Sequence, residues 1–279
     1  MRSRRAGFLV NFPFCFYALI FIIAPMILVL MYSLTNAGGG LTIANFMKFF
    51  DFENPVYMKV LWRSVYLAVI STVICLIIGY PMAYILAGLK PRVRNFLSFL
   101  FILPMWMNFL LRTYAWMTLL ERTGVINTML QAAGLPTINI MYTEGAVILG
   151  MVYNFLPFMI LPIYNMLIKM DKSLIEASND LGANKVQTFL RVELPLTMPG
   201  VFSGITMTFM PAVTTFIISK LLGGGQNALI GDLIEKQFKV VGDWGFGSAM
   251  SVILMVLILF FMWISSRYEK EQSEGGILL

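Results

Sequence analysis

Between Leu174 and Gly200 the sequence reads LIEASNDLGANKVQTFLRVELPLTMPG, placing Glu176, Asp180, Lys185, Arg191 and Glu193 in a chain of which only 12% is charged. Acids and bases so spaced suit the capping of a helix or contact with a partner, and nothing around them suits bond breaking. The chain has no His, so no Ser/His/Asp or Cys/His nucleophile set can form. It has no Gly-Lys dipeptide either, which removes the phosphate-cradling loop of many nucleotide hydrolases. No acidic residue sits in the middle of an apolar run, where proton relays and coupling-ion sites are usually marked. The two halves show no inverted duplication with paired broken helices, the outline of many secondary transporters. A passive pore, a scaffold, or a subunit of a machine powered elsewhere remain. No catalytic residue, metal-ligand set or bound cofactor is expected on this chain.

The segment itself predicts a hairpin. Ser173-Leu174-Ile175-Glu176 has the S-x-x-E form of a capping box, in which side chains satisfy the free backbone donors of a helix start. Gly182 suits the left-handed position just past a helix end, giving a two-turn helix from Leu174 to Leu181. A second stretch, Lys185 to Leu194, puts Val186, Phe189 and Leu190 on one face, and Pro195 limits its continuation. A helix of two turns is marginal alone, since isolated helices below about 12–15 residues do not persist in water. Either Leu174, Ile175 and Leu181 pack on neighbouring helices, or the short helix is a knob for a groove on another protein.

The elements around it are apolar. Hydrophobic residues make up 59% of the 279 and the mean hydropathy is +0.81, so the chain is expected in a membrane. Uncharged runs predict six spans, roughly residues 12–34, 64–87, 96–119, 145–168, 197–219 and 246–266, with the polar hairpin in the loop 169–196; each run supplies the ~20 residues needed to cross. A seventh run, between Arg122 and Glu144, carries Gly124, Asn127, Gln131, Gly134, Pro136 and Asn139, and reads as a loop with a short surface helix. Six spans put both termini on one side. Arg2, Arg4 and Arg5, the turn Lys90, Arg92 and Arg94, then Lys169, Lys172, Lys185 and Arg191, and Arg267 with Lys270 mark that side as cytoplasmic. The first apolar run follows basic residues but has no small-residue cleavage site, so it reads as a retained anchor. Cys15 and Cys75 fall within spans and imply neither a disulfide framework nor a metal site. The net charge of +6 fits insertion and anionic lipid. No basic stripe with interleaved aromatics points to nucleic acid.

Glu176-Ala177-Ser178, three residues, Gly182, nine residues, then Val192-x-Leu194-Pro195 resembles the EAA signature of ABC importer permeases, with Ser178 for the second Ala and Val192 for Ile. Longer stretches, GYPMAYILA at 79–87, LGANKVQTFLRVELPLTMPG at 181–200, GGGQNALIGDLIEKQF at 223–238 and DWGFGSAMS at 243–251, resemble the polyamine (spermidine/putrescine) branch and its PotB-type subunits. The last has Gly245 where that branch has Pro, which is expected to loosen the turn there.

This resemblance implies an all-α, six-span fold of the MetI-like kind with a coupling-helix hairpin. It implies a second, related permease, an ATPase homodimer that holds the ATP and magnesium, and an external substrate-binding protein, all at a bacterial cytoplasmic membrane. Glu176, Ala177, Ser178, Asp180, Leu181, Gly182, Ala183, Asn184 and Lys185 would form the coupling segment, with Glu176, Ala177 and Gly182 fixing its shape. A polycationic solute crossing a low-dielectric layer is helped by aromatic faces. Trp106, Asn108, Tyr114 and Trp116 around the third span and Tyr153 and Asn154 in the fourth are candidates, the tryptophans having an interfacial or packing role as the alternative. Asn108 and Asn154, costly in lipid, are expected to face the interior. Pro211, near the centre of the fifth span, with Thr214, Thr215 and Phe216, is the expected gate-lining stretch or a purely structural kink. Asp232, Glu235, Asp243 and Trp244 in outer loops are placed to receive the cation or dock its binding protein, unless they are ordinary solvated residues. Another solute (an opine, thiamine, sulfate or iron) on the same architecture stays open at this point, as does a passive channel or scaffold.

Overall fold

The computed structural model describes residues 13–36 and 38–275, with side chains to residue 267. Arg2, Arg4 and Arg5, residue 12 at the start of the first expected span, and the side chain of Lys270 lie outside the described residues. The described residues are mostly helical, joined by short loops. Five helices are long and apolar enough to cross a membrane, and a bent pair makes a sixth if counted as one span.

Helix α1, Pro13–Ser33, exposes its apolar side chains and buries only Ser33. A loop and the short α2, Ala44–Phe49, lead to α3, Val56–Gly88, 33 residues long. Next come α4, Pro91–Trp106, α5, Phe109–Leu120, α6, Val125–Ala132, and α7, Glu144–Lys169. The hairpin helix α8, Lys172–Asp180, precedes α9, Lys185–Thr214. Two short helices, α10, Ile217–Leu222, and α11, Ile230–Lys236, precede the final α12, Trp244–Gly275. Packing divides the chain into two compact units, Met1–Lys59 with Leu233–Leu257, and Val60–Asp232 with Ile258–Leu279.

In the second unit a core forms where α3, α7 and α9 meet, built on Cys75, Ala83, Leu86, Met159, Ile160, Ile163, Tyr164, Leu167 and Val201. Without a hydrophobic drive between helices in lipid, close approach through small residues supplies the packing. Gly200 and Gly204 do this for α9. A Cβ on Gly200 would lie 2.6 Å from Met166 Cγ and 2.9 Å from the Pro162 carbonyl oxygen; one on Gly204 would lie 2.8 Å from Met159 Sδ and 3.1 Å from its carbonyl oxygen.

Three expectations are corrected here. The third span is not one helix: α4 and the α5–α6 segment meet at 94°, with Met107 extended at the break. The sixteen residues of α4 rise about 24 Å at 1.5 Å each, short of a ~30 Å hydrocarbon core. Pro195 does not end its helix. Residues Phe189–Glu193 form one widened turn, in which the Leu194 N–H reaches back five residues to the Phe189 carbonyl, and the helix runs on to Thr214. Widening the turn accommodates a proline that has no N–H to give and whose ring crowds the carbonyl four residues back. Helix α1 repeats the device, with a widened turn at Leu19–Ile23 six residues ahead of Pro25. Third, Pro211 does not sit at the centre of a span, because α9 stops three residues later at Thr214.

Candidate functional site: the 169–196 hairpin

The hairpin starts two residues before the expected capping box. Asp171, not Ser173, caps α8, its carboxylate accepting from the Ser173 N–H at 2.9 Å. That backbone donor is the main reason the Asp171 carboxyl is held below the usual carboxylate range. Upstream aspartate outcompetes serine because an ionised acceptor makes the stronger cap and answers the helix dipole. Glu176 is thereby exposed and makes no hydrogen bond within the described residues, so it is no cap at all.

The far end matches expectation. Gly182 has φ +82°, and the N–H groups of Gly182 and Ala183 donate to the carbonyls of Asn179 (2.9 Å) and Ser178 (3.1 Å), the paired bonds of a Schellman ending. A Cβ on Gly182 would meet nothing within 4 Å in this chain, so its requirement here is backbone angle alone. Asn184 then opens α9 with a full capping box, trading 2.9 Å bonds with Gln187. Asn184 belongs to the expected coupling segment, and its side chain is committed to the cap.

Ser178 departs from the Ala of the signature. Its hydroxyl lies 3.1 Å from that of Thr188, which also donates to Asn179 Oδ1 at 3.4 Å. Thr188 is buried, and this small network ties the two arms of the hairpin together.

Leu174 and Leu181 do not pack on neighbouring helices: they are 45% and 89% exposed. Val186 and Leu190 are exposed as well. Around them opens a groove of about 870 Å³, lined among others by Leu174, Ala177, Leu181, Arg191, Val192 and Pro195. Asp180 and Lys185 are solvent-exposed on the same hairpin and Ala183 is half-buried. A short helix thus presents an apolar face, a charged rim and no cover of its own.

The expected path residues do not converge as a set. Trp116 and Tyr153 meet edge-on at 5.1 Å, but the Arg112 guanidinium already stands 5.7 Å from the Tyr153 ring centre. Trp106 is 76% exposed and pairs with Phe99; Tyr114 is exposed. Asn108 does not face an interior. It is exposed and caps α5, accepting from the N–H groups of Leu110 and Leu111. Asn154 is buried, donates to the Gly150 carbonyl at 2.7 Å and leaves Oδ1 without a partner. At the end of α9, Thr214 donates to the Met210 and Pro211 carbonyls, Thr215 is extended and buried, and Phe216 is half-buried. Gly231 covers this break closely: a Cβ there would lie 2.8 Å from the Thr214 carbonyl oxygen and 2.9 Å from that of Thr215.

The acids expected in outer loops are engaged. Asp232 accepts from Ser219 Oγ (2.6 Å) and the Leu229 N–H (2.7 Å). Glu235 pairs with Lys239 at 3.0 Å. Asp243 pairs with Lys48 at 3.1 Å and caps α12 through the Phe246 N–H. Partial burial pushes the Asp243 carboxyl up, but the Phe246 donor and Lys48 outweigh it and hold it below the usual range. Trp244 is exposed and lies edge-on to Phe238. Gly245 sits in the first turn of α12 rather than in a loosened turn, with space for a Cβ only 3.0 Å from Asn45 Nδ2.

Two charged residues were missed in the sequence. Arg112 is 8% exposed and donates to the Pro104 carbonyl at 2.5 Å, closing the break between α4 and α5 from inside. Arg112→Leu should therefore lower the stability of the purified protein by about 1.5–3 kcal/mol, the usual range for losing a hydrogen bond from a charged donor, read as a drop in its detergent melting temperature; the Pro104 carbonyl keeps the Met107 N–H. Glu193 is 6% exposed; it passed for the variable position of the signature. Its acidity beside an apolar run was the available signal.

Comparison with known proteins bears on this hairpin-bearing helical fold. Solved structures of a bacterial alginate ABC transporter superpose with a TM-score of 0.79, covering 95% of this chain and 96% of theirs at 17% identity, which is a likeness of fold. The Haemophilus influenzae spermidine/putrescine transport system permease protein PotB is 41% identical over 262 residues, 91% of each chain. The Escherichia coli K12 protein of the same name is 42% identical over 238 residues, 84% of this chain and 86% of that one. Residues 76–273, which hold the hairpin and its supporting helices α7 and α9, match the family model for the binding-protein-dependent transport system inner membrane component. The chain belongs to that family of multi-pass inner-membrane permeases.

Proposed function

We propose that this chain is one transmembrane subunit of an ATP-driven importer that carries spermidine or putrescine inward, and that α8 is where its partner ATPase pushes and pulls. The observation that carries the coupling role is the exposed apolar groove of the hairpin. Leu174 and Leu181 are left in solvent by a helix too short to hold itself, a combination that calls for a partner surface. The relatives named for spermidine and putrescine, at 41–42% identity over most of the chain, support the substrate class.

In this reading both termini and the hairpin are cytoplasmic. Two ATPase copies hold ATP and magnesium, and this chain contributes no catalytic group. A second permease completes the path, and an external binding protein delivers the solute. Force applied to α8 reaches the membrane directly. The Ser178, Thr188 and Asn179 network locks α8 to the start of α9, and α9 is continuous to Thr214.

Labelled spermidine and putrescine uptake by vesicles holding the complete complex tests this. ATP-dependent accumulation of either polyamine is expected, and none when the ATPase subunits cannot hydrolyse ATP. Accumulation independent of ATP would identify a passive channel instead.

A further inference from the structure

The widened turn Phe189–Glu193 turns the Glu193 side chain into the protein, where it is 6% exposed. Its carboxylate lies near the Tyr84 side chain. The carboxylate oxygen Oε2 is buried with no hydrogen-bond partner, and no cation of this chain pairs with Glu193 among the described residues. An unmet buried carboxylate oxygen is rare in a folded protein and marks a group kept for something else.

Its surroundings are specific. The rings of Tyr80 and Tyr84 each stand 5.7 Å from Phe189, at 85° and 90°. The Tyr80 hydroxyl lies 2.8 Å from Thr197 Oγ1, which in turn donates to the Glu193 carbonyl at 2.9 Å. Thr197 thereby fixes the turn and one tyrosine together. Tyr84 is 42% exposed and gives the cluster its open side. A buried carboxylate beside a cluster of aromatic rings is an arrangement that suits an ammonium group, charge answering charge and ring quadrupoles adding attraction without a second fixed acid to trap the ion.

We propose that Glu193, with Tyr84, Tyr80 and Phe189, forms a subsite for one primary ammonium group of the solute on the hairpin side of the α3–α9 pair. This inference rests on the polyamine reading above. It also links cargo to motor: Val192 and Pro195, beside Glu193 on the same turn, line the groove at α8, so a shift of the hairpin changes the setting of the carboxylate that holds the ammonium.

The test uses the complete complex in vesicles, with labelled spermidine and putrescine. Glu193→Gln keeps the shape and one acceptor oxygen and removes the charge. The expected result is a fall of tenfold or more in uptake, with ATP hydrolysis stimulated by the binding protein staying within twofold of wild type, and partial recovery in Glu193→Asp. Uptake by Glu193→Gln within twofold of wild type overturns the proposal, because a purely structural acceptor survives that change. Loss of ATPase co-purification in Glu193→Gln overturns it equally, by placing Glu193 in assembly. Tyr84→Leu, at the open rim, should cut uptake about fivefold, and full uptake there also counts against the site. If wild-type complexes accumulate neither polyamine, the substrate assignment itself fails and takes this subsite with it.

Discussion

Gly182→Val is expected to reduce solute uptake by at least fiftyfold while the protein remains in the membrane at close to wild-type amount. At φ +82° an L side chain clashes with its own backbone, costing about 1–2 kcal/mol, and a β-branched one suffers most. The helix before it is nine residues long and is held to α9 by the small Ser178, Asn179 and Thr188 network, so the strain is relieved by unwinding the Schellman turn rather than by distorting the long α9. The Leu174 and Leu181 faces then lose their setting. Gly182→Asn separates two causes. Asn tolerates the left-handed region, and nothing in this chain lies within 4 Å of a Cβ there. Substantial uptake by the Asn variant assigns the requirement to backbone angle; loss equal to that of Val shows that the partner surface itself approaches too closely for any side chain. Uptake assays on vesicles matched for protein content by immunoblot read both.

Gly200→Leu should prevent accumulation of folded protein altogether, and Gly200→Ala should destabilise it by about 1–3 kcal/mol, the usual range for overpacking. At Gly200 the obstacle includes backbone: the Pro162 carbonyl oxygen would lie 2.9 Å from the new Cβ and the Ile163 Cα 3.2 Å, besides Met166 Cγ at 2.6 Å. A methionine can rotate away, but α7 cannot recede without opening the core that Ile163, Tyr164 and Val201 share. Fluorescence-detected size exclusion of detergent extracts, with melting on the Ala variant, measures the effect. A monodisperse Gly200→Leu peak at wild-type yield would show that α7 and α9 are not held by this crossing.

The sequence made the helical class plain because long uncharged runs leave lipid as their only solvent, and in lipid a helix satisfies its own backbone. Gly182 was legible for the same local reason it is needed. The bend between α4 and α5 was not, since Leu, Met and Trp continue across it without change of hydropathy. Its marks are Asn108, a helix-start residue inside an apolar run, and Arg112, which reaches back to Pro104. Ser173 misled because a box pattern scores one candidate at a time, whereas Asp171 competes for the same N–H groups. Pro195 misled because the rule that proline ends a helix assumes regular turns ahead of it, and a widened turn removes the conflict. Among the site residues, the hairpin was readable from spacing, but two of the aromatic neighbours of Glu193, Tyr80 and Tyr84, come from α3, more than a hundred positions earlier, and no local pattern joins them.

Cysteine crosslinking of the assembled complex tests the account most directly. With Cys15 and Cys75 replaced, single cysteines at Ala177 and Leu181 should form bonds to cysteines lining a groove of the ATPase subunit at high yield, with the yield changing between the nucleotide-free and ATP-trapped states. A hairpin that crosslinks to no ATPase subunit in an actively transporting complex would contradict the coupling role.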